Sequence, residues 1–463
     1  MLACALGRIR GERVREGGIP VGEADVEEFW QTLPFSPTGA QRRAVQQAIE
    51  DMRAGTVMNR LVQGDVGSGK TLVAAALIWY VWKSGLGSAF MAPTEILAEQ
   101  HYETLSRMLS PFGLRIGKLT GSMTAKEKRG VKALLEQGEL DLVIGTHALF
   151  SADVAYQNLG LVVTDEQHRF GVEQRAALIG KAGRPHVLVM SATPIPRTLA
   201  LIIYGDLDVS IIDELPPGRQ KVDTFAVDES YRARLNGFIR KLTDEGRQVF
   251  VVCPMVEENE ELPENLKSAE EHAKTFQQLF PDLRVACVHG RMKPKDKDAV
   301  MAAFVSGDAQ ILVATTVIEV GVDVPNAALM IVENAERFGL SQLHQLRGRV
   351  GRGQHKSYCI LVSDADGEDV KARLSILCKT GDGFKVSEED LRLRGPGDFF
   401  GSRQHGLPAT HIADLGGDVE ILQRAQREAN LLLQDDPELL APENTALRES
   451  VERIFRQNAD SFN

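Results

Sequence analysis

Residues 64 to 71 read Gly-Asp-Val-Gly-Ser-Gly-Lys-Thr, between a short apolar segment and a long one. Segment 61–63 is typical of a strand, and segment 72–82 has the length and Ala/Leu content of a buried helix. The stretch fits G-x-x-x-x-G-K-[ST], in which glycines let backbone N–H groups approach phosphates, Lys70 reaches the β and γ oxygens, and the Thr71 hydroxyl faces Mg²⁺. Strand, glycine loop and helix in this order predict an α/β fold that binds a nucleoside triphosphate with Mg²⁺. The nucleotide-binding candidates in the stretch are Gly64, Asp65, Gly67, Ser68, Gly69, Lys70 and Thr71.

A second motif follows another apolar run, Leu-Val-Val-Thr at 161–164, which ends in Asp165 and Glu166. Asp165 is predicted to hold Mg²⁺ through water opposite Thr71, and Glu166 to orient or deprotonate the attacking water. Both carboxylates come directly after a strand, and open α/β sheets bind ligands at that edge. The alternative is a solvated turn, and the glycine loop in the same chain makes it the weaker interpretation.

Charge excludes a protein whose whole surface attracts nucleic acid. The chain has 53 basic and 64 acidic side chains and a net charge of −11, whereas phosphate binding draws on Lys and Arg. Acidic residues concentrate at 257–271 and near the C-terminus, and basic residues concentrate at 337–356 and 392–403. This distribution favours an enzyme that contacts DNA locally.

Composition also indicates the compartment. The five cysteines show no C-x-x-C spacing, and three of them lie in apolar runs, so we expect reduced core thiols. The sequence has no apolar run of about 18 residues, and arginines occur too early in the first ten residues for a secretory signal. A cytoplasmic protein is expected.

Alternating strand-like and helical segments predict two tandem α/β lobes with parallel sheets. The first is expected at 33–215 and the second at 216–364, separated by a turn-rich Leu-Pro-Pro-Gly-Arg seam; the second lobe has no second glycine loop of the same kind. Residues 1–32 are interpreted as a linker with a helix remnant, and 365–463 as a small helical module.

The second lobe contributes an arginine cluster at 345–353, Gln-Leu-Arg-Gly-Arg-Val-Gly-Arg-Gly. A charged helix face is the commoner structure for such a cluster, but the glycines weaken a helix here. Guanidinium groups supplied from outside a phosphate cradle stabilise the transition state of phosphoryl transfer. Arg349 and Arg352 are therefore candidate catalytic cations, and the site would be complete only when the lobes close.

Gln41 lies in Leu-Pro-Phe-Ser-Pro-Thr-Gly-Ala-Gln, ahead of the first strand. Its amide is a candidate to hydrogen-bond a nucleotide base edge. A single glutamine is more often an ordinary surface residue, and only its placement favours the binding role.

The ordered motifs resemble the superfamily 2 helicases: GDVGSGKT, APTEILAEQH, LTGS, IGTHAL, DEQH, SATP, TTVIEVGVDVP and QLHQLRGRVGRG. More narrowly, DEQHRFGVEQR, SATPIPRTLA, LPPGR and DGFKVSEEDLRLRGPGDFFGSRQHG resemble the RecG family of branched-DNA translocases. The resemblance implies two RecA-like lobes that use ATP and Mg²⁺ on double-stranded DNA, with 383–407 as the translocation motif. Within that motif RGPG is also interpreted as a turn that caps a helix.

The same resemblance assigns further residues. It places Gly321, Asp323 and Gln345 beside the nucleotide. It places hydroxyl and amide donors against DNA phosphates, which they grip without reading bases, although any single Thr-Gly is more often a turn. The DNA-contact candidates are Thr94, Thr120, Gly121, Thr146, His147, Arg291, Thr315 and, on the translocation motif, Arg394, Arg403 and Gln404.

The predicted function is ATP-dependent translocation and strand separation on branched DNA, by a monomer, away from membranes, with single-strand DNA-binding protein as a candidate partner. The family has an N-terminal wedge domain, for which residues 1–32 show no strand pattern; truncation, a fragment or a late start would explain this. One alternative is therefore an ATP-hydrolysing duplex clamp that does not part strands. A transcription-repair translocase would need a polymerase-binding module, and a noncatalytic remnant is disfavoured because the catalytic residue types are present.

Overall fold

The structure is a computed structural model of the chain. It describes residues 18–151, 153–165, 184–192, 207–216, 219–254, 269–315, 324–399, 424–425, 428–429, 431–433 and 435–457. Contacts divide the chain into two compact units. Unit 1 comprises Met1–Gly64, Gly69–Glu214 and Leu391–Asn463, and unit 2 comprises Asp65–Ser68 and Leu215–Asp390.

Unit 1 is built on a seven-stranded sheet in the order β3-β4-β2-β5-β6-β1-β7, and the pairings described are parallel. Parallel strands buried on both faces read as near-continuous apolar runs, which is how β5 and β6 read in the sequence. The strands are β1 Asn59–Gly64, β2 Gly87–Met91, β3 Ile116–Leu119, β4 Leu142–Gly145, β5 Leu159–Asp165, β6 His186–Ser191 and β7 Asp208–Ile212.

The helices of unit 1 surround this sheet. The predicted buried helix is confirmed as α3, and its residues from Leu72 to Val81 are all buried. The helices are α1 Glu27–Gln31, α2 Gly39–Arg53, α3 Lys70–Lys83, α4 Glu95–Leu109 and α5 Ala125–Glu136, with 3-10 turns at Ser110–Phe112 and His147–Phe150.

Within unit 1, segment 18–30 contacts the sheet and helix α3 through hydrogen bonds and an aromatic cluster. His186, fully buried at the start of β6, donates from Nε2 to the Ile19 carbonyl at 2.9 Å and accepts the Met58 N–H on Nδ1 at 3.0 Å. Phe29 packs against Trp79 of α3 and against Phe112. This part of the predicted linker is therefore an integral part of unit 1.

Unit 2 is built on a six-stranded sheet in the order β10-β11-β9-β12-β13-β8, also with parallel pairings. An apolar core joins α6, α7 and the sheet through Ile239, Phe276, Val251 and Ile331. The strands are β8 Val222–Val227, β9 Gln248–Val252, β10 Val285–Val288, β11 Ile311–Ala314, β12 Ala327–Val332 and β13 Ser357–Val362. The helices are α6 Arg232–Asp244, α7 Ala269–Leu279, α8 Pro294–Val305, α9 Leu340–Arg347 and α10 Glu368–Lys379, with 3-10 turns at Glu229–Tyr231 and Ala335–Arg337.

Two parallel-sheet lobes and a helical C-terminal region confirm the predicted fold class. The C-terminal helices are α11 Gly383–Phe399 and α12 Thr445–Gln457, with a 3-10 turn at Pro442–Asn444. The interpretation of RGPG as a capping turn is wrong, because α11 continues through these residues to Phe399. Proline removes one backbone N–H but keeps a helical φ, and here the helix ends three residues later.

The cysteine prediction is correct for part of the set. Cys253, Cys287, Cys359 and Cys378 are free thiols, with Cys253 and Cys359 buried. Cys378 is exposed on α10, so it is not a core thiol; Cys4 lies outside the described residues. In the described parts of the chain, no helix combines the length and apolar character needed to cross a membrane.

Candidate nucleotide and DNA site

The glycine loop leaves the carboxyl end of β1 and leads into α3. Gly67 and Gly69 have φ of +77° and +84°, a conformation that L side chains rarely adopt, so the loop needs glycine at these two positions. Gly69 is the N-cap of α3, and Lys70 is its first residue. The sequence thus places a helix N-terminus, with its unpaired N–H groups, directly behind the loop.

Lys70 is buried, and its Nζ donates to the carbonyl oxygen of Gly64 at 2.8 Å. The ammonium group is therefore held over the start of the loop. A buried cation at this position favours phosphate oxygens, because burial strengthens its interaction with negative charge.

Asp165 is the last residue of β5, at the same edge of the sheet. In the strand order β5-β6-β1, Asp165 is level with Met190 of β6, and Gln63 of β1 is level with Ser191. Two strand spacings separate β5 from β1, roughly 10 Å. The structure thus brings the predicted metal carboxylate and the glycine loop to one edge.

Asp165 has a contact, His101, that no sequence motif indicates. Its Nε2 lies 2.9 Å from Asp165 Oδ2, and the two side chains are 11% and 13% exposed. The bond joins residues 64 positions apart, and no local pattern predicts such a contact.

Gln41 is the third residue of α2 and is buried. Its Oε1 accepts the Thr38 N–H at 2.9 Å, while the Thr38 hydroxyl accepts the Gln41 N–H. This reciprocal pair is a capping box. The Oε1 atom is thus used by the helix cap, and recognition of a base would rely on the amide nitrogen of Gln41.

The DNA-contact candidates of unit 1 follow three neighbouring strands, in the order β3-β4-β2. Thr94 caps α4 after β2. Thr120 and Gly121 follow β3, and Thr146 and His147 follow β4. The structure therefore brings these five residues to the carboxyl edge of one sheet, with His147 exposed and Thr120 and Thr146 largely buried.

In unit 2, Arg291 and Thr315 follow the neighbouring strands β10 and β11. Arg291 is exposed, and the Thr315 N–H donates to the Val288 carbonyl at 3.2 Å. Both residues thus lie at the carboxyl edge of the second sheet.

The arginine cluster separates into different environments. Helix α9 ends at Arg347, and Gly348 is its C-cap, so Arg349 and Arg352 follow the helix, as the glycines indicated. Arg347 is buried and donates to the carbonyls of Leu377 and Thr380 at 2.8 and 2.7 Å. It therefore ties α9 to the end of α10. Gln345 and Arg349 are also buried, and Arg352 Nε donates to the Gly348 carbonyl at 3.1 Å.

Six predicted positions lie wholly or partly outside the described residues. Arg394 belongs to α11, and its side chain lies outside the described residues. Glu166, Gly321, Asp323, Arg403 and Gln404 lie outside the described residues altogether.

The carboxyl edge of the second sheet, which corresponds to the edge with Lys70 and Asp165 in the first, contains an ion pair. Arg232 is the first residue of α6, the helix after β8, and Glu333 comes directly after β12. Arg232 Nη1 and Nη2 each lie 2.7 Å from one oxygen of Glu333, whose side chain is 3% exposed. These bonds hold the pKa of Arg232 far above its usual value, and they fill the guanidinium fork with protein carboxylate.

The residues at the carboxyl edge of the first sheet fit a bound Mg²⁺–ATP group. Mg²⁺ at phosphate-transfer sites keeps several waters and takes one or two carboxylates plus phosphate oxygens. Asp165, with the Thr71 hydroxyl at the start of α3, matches that donor set. The left-handed glycines and the buried Lys70 match a triphosphate.

Comparison with known families gives three consecutive matches. The DEAD/DEAH box helicase model matches residues 38–202, and the helicase conserved C-terminal domain model matches residues 232–354. The model for domain 3 of the ATP-dependent DNA helicase RecG, C-terminal part, matches residues 380–461.

Curated relatives agree. The chain is 50% identical over 423 residues to the ATP-dependent DNA helicase RecG of Synechocystis sp., covering 91% of this chain and 50% of the relative. The RecG of Thermotoga maritima is 49% identical, with 92% of this chain and 55% of the relative covered. The chain thus spans about half the length of these relatives.

A solved structure of RecG bound to a three-way DNA junction is 46% identical, with a TM-score of 0.78 over 91% of this chain and 55% of that one. The two parallel-sheet lobes, together with the DEAD/DEAH box and helicase C-terminal domain matches, define the class as the two-lobed helicase fold. The chain belongs to the RecG family of that class.

Proposed function

We propose that the chain is an ATP-dependent double-stranded DNA translocase and helicase that remodels branched DNA and stalled replication forks. The main support is one juxtaposition of loops. The glycine loop after β1, Asp165 after β5 and the polar loops after β2, β3 and β4 all lie at the carboxyl edge of a single sheet. The relative bound to a three-way junction and the RecG names of the relatives support branched DNA as the substrate.

In this proposal residues 33–215 and 216–364 form the two lobes, and 365–463 form the translocation motif and helical module. Bound Mg²⁺–ATP supplies the phosphoanhydride whose cleavage drives the cycle. Lys70 stabilises charge on the phosphates, and Asp165 and Thr71 hold the metal. Glu166 orients the attacking water, and Arg349 and Arg352 stabilise the charge that develops in the transition state.

The nucleotide site also includes Gln41, Gly321, Asp323 and Gln345. The DNA-contact residues act on the phosphate backbone and give grip without sequence readout. Arg394, Arg403 and Gln404 couple the nucleotide state to the DNA contact. Fork reversal exchanges base pairs, each worth roughly 1.4 kcal/mol of stacking, so the exchange is nearly balanced and ATP mainly supplies direction.

The substrate is forked or branched double-stranded DNA. Single-strand DNA-binding protein is proposed as a partner, a monomer as the working form and the cytoplasm as the location.

Two assays on the same preparation test this proposal. Strand displacement on a synthetic fork is measured beside hydrolysis of ATP with and without duplex DNA. DNA-stimulated hydrolysis with displacement is the expected result. Stimulated hydrolysis without displacement would favour the duplex clamp, and hydrolysis indifferent to DNA would contradict both.

A further inference from the structure

A largely buried hydrogen bond joins His101 to Asp165, the proposed metal carboxylate. Because a carboxylate oxygen only accepts, the Nε2 atom of His101 is the donor in the 2.9 Å bond. The imidazole ring also packs on Phe90 of β2, with centroids 4.5 Å apart. The ring is therefore fixed by packing and by a directed hydrogen bond.

This bond decides which way the Asp165 carboxylate faces. Because Oδ2 accepts the His101 N–H, rotation of the Asp165 carboxylate is restrained. Carboxylates that hold metals are commonly oriented by such outer hydrogen bonds, and loss of the outer partner typically costs ten-fold to a hundred-fold in metal affinity or activity.

Helix α4, which contains His101, begins at the proposed DNA contacts. Thr94 caps the helix by accepting the Leu97 N–H at 3.4 Å. Glu95, its first residue, accepts the Ser122 N–H at 2.9 Å and so holds the loop of Thr120 and Gly121. His101 lies about two turns further along the same helix, roughly 10 Å from this end.

Further contacts hold α4 on the sheet. Lys118 of β3 forms an ion pair with Glu99, and its Nζ lies 5.5 Å from the centre of the Tyr102 ring. A movement of the DNA-contact loops would therefore be passed to α4 as a unit, and from α4 to Asp165.

We propose that His101 is a positioning residue that orients Asp165 toward Mg²⁺, and that α4 links DNA contact to ATP hydrolysis through it. The inference rests on the proposed function for its DNA part. Its metal part depends only on nucleotide binding.

The test compares the full wild-type chain with three variants, each of which has one substitution. His101→Phe keeps the ring packing on Phe90 and removes the donor. His101→Gln keeps a donor near the Nε2 position. Tyr102→Phe, the next residue on the same helix, is the matched control that keeps the ring beneath Lys118.

The first measurement is binding of a fluorescent ATP analogue as Mg²⁺ is raised, beside binding in EDTA. His101→Phe should need about ten-fold to a hundred-fold more Mg²⁺, with metal-free binding unchanged, and His101→Gln should recover most of the loss. An unchanged Mg²⁺ requirement in His101→Phe would overturn the proposal. An equal loss of metal-free binding, or a large drop in unfolding temperature, would show that the ring has only a structural role.

The second measurement is the ratio of ATP hydrolysis with duplex DNA to hydrolysis without it. The ratio should fall in His101→Phe and stay at the wild-type level in Tyr102→Phe. An unchanged ratio in His101→Phe would remove the DNA link. If the wild-type chain shows no stimulation at all, the proposed function fails, and the Mg²⁺ titration still decides the role of His101.

Discussion

The two sheets have corresponding strand orders, but the charged side chains at their carboxyl edges have different partners. Order β10-β11-β9-β12-β13-β8 in unit 2 repeats order β3-β4-β2-β5-β6-β1 in unit 1, so β8 corresponds to β1 and β12 to β5. In both units a cation is the first residue of the helix after the first of these strands, and a carboxylate lies at the end of the second. In unit 2, Arg232 and Glu333 bind each other. In unit 1, Lys70 binds the Gly64 carbonyl and Asp165 contacts His101.

This difference bears on the proposal that the edge of the first sheet is the nucleotide site. The first connection has two left-handed glycines and leads directly into α3. The second has Asp228 and a 3-10 turn before α6. A direct ion pair uses up the charges that would otherwise meet phosphate and metal. We infer that separate protein partners for the cation and the carboxylate, rather than the sheet itself, distinguish the two lobes.

Replacing Lys70 should have the largest effect. Lys70→Ala is expected to lower the rate of ATP hydrolysis by about 10²-fold to 10³-fold, the usual cost of removing one preorganised electrostatic group. DNA binding without nucleotide should remain measurable by fluorescence anisotropy. Lys83→Ala, at the other end of the same helix, is the control. Loss of DNA binding with hydrolysis intact would contradict the assignment.

Breaking the ion pair of unit 2 should lower the free energy of unfolding without a direct effect on ATP hydrolysis. Arg232→Ala leaves Glu333 buried without this partner, which should cost about 3 kcal/mol of unfolding free energy, measured by urea denaturation. Glu229→Ala, which removes an exposed partner of the same arginine, should cost less than about 1 kcal/mol.

The double variant Arg232→Met/Glu333→Leu separates the two effects, because an apolar pair often replaces a buried ion pair at little cost. It should recover most of the stability and hydrolyse ATP at the wild-type rate. A large loss of hydrolysis in this variant would show that the pair belongs to the ATP site, and the comparison between the lobes would fail.

The pH dependence of stability tests a further difference between the two sheets, at the first residues of the corresponding strands β6 and β13, His186 and Ser357. Burial lowers the pKa of His186 below its usual 6.5, although its bond to the Ile19 carbonyl acts in the opposite direction. The unfolded chain therefore binds the proton more readily than the folded one. The stabilisation is fully present above about pH 6.5 and is lost as pH falls, by at most about 1.4 kcal/mol per pH unit.

Urea denaturation between pH 7.5 and 5.5 measures this slope. His186→Asn keeps an acceptor for the Met58 N–H without a titrating group, so its slope should be smaller. Ser357 holds the corresponding position in unit 2, where its hydroxyl donates to the His355 carbonyl at 3.2 Å, and Ser357→Ala should leave the slope unchanged. Equal slopes in wild type and His186→Asn would exclude His186 as the source.

Local motifs explain why the glycine loop, α3 and the strand that ends at Asp165 could be predicted from the sequence. Each is a continuous stretch whose periodicity and residue types agree. The edge strands β7 and β8 are harder to predict from sequence, because both are partly exposed and both mix polar residues such as Asp208 and Asp223 with apolar ones. The predicted roles of Glu166, Arg349 and Arg352 stay predictions.

Long-range contacts could not be predicted in the same way. The three arginines of the 345–353 cluster look alike in sequence, and tertiary contacts such as the bonds from Arg347 to the carbonyls of Leu377 and Thr380 give them different environments. The His101 bond depends on where α4 packs against β5, which no stretch of residues specifies. Sequence therefore gives the parts of the site, whereas tertiary packing gives their orientation.

The smallest expected effect concerns the connection between β8 and α6, which corresponds to the glycine loop between β1 and α3. The Asp228 side chain accepts the Ser230 N–H at 2.9 Å and caps the turn before α6. Asp228→Ala should cost about 1 kcal/mol of unfolding free energy and leave ATP hydrolysis unchanged, since this connection only needs to begin a helix. A Gly69→Ala variant in unit 1 forces a side chain into a left-handed position, so hydrolysis should fall there. If both variants were fully folded and lowered hydrolysis by the same factor, the two connections would be equivalent in function. The proposed distinction between the nucleotide edge of the first sheet and the ion-paired edge of the second would then be wrong.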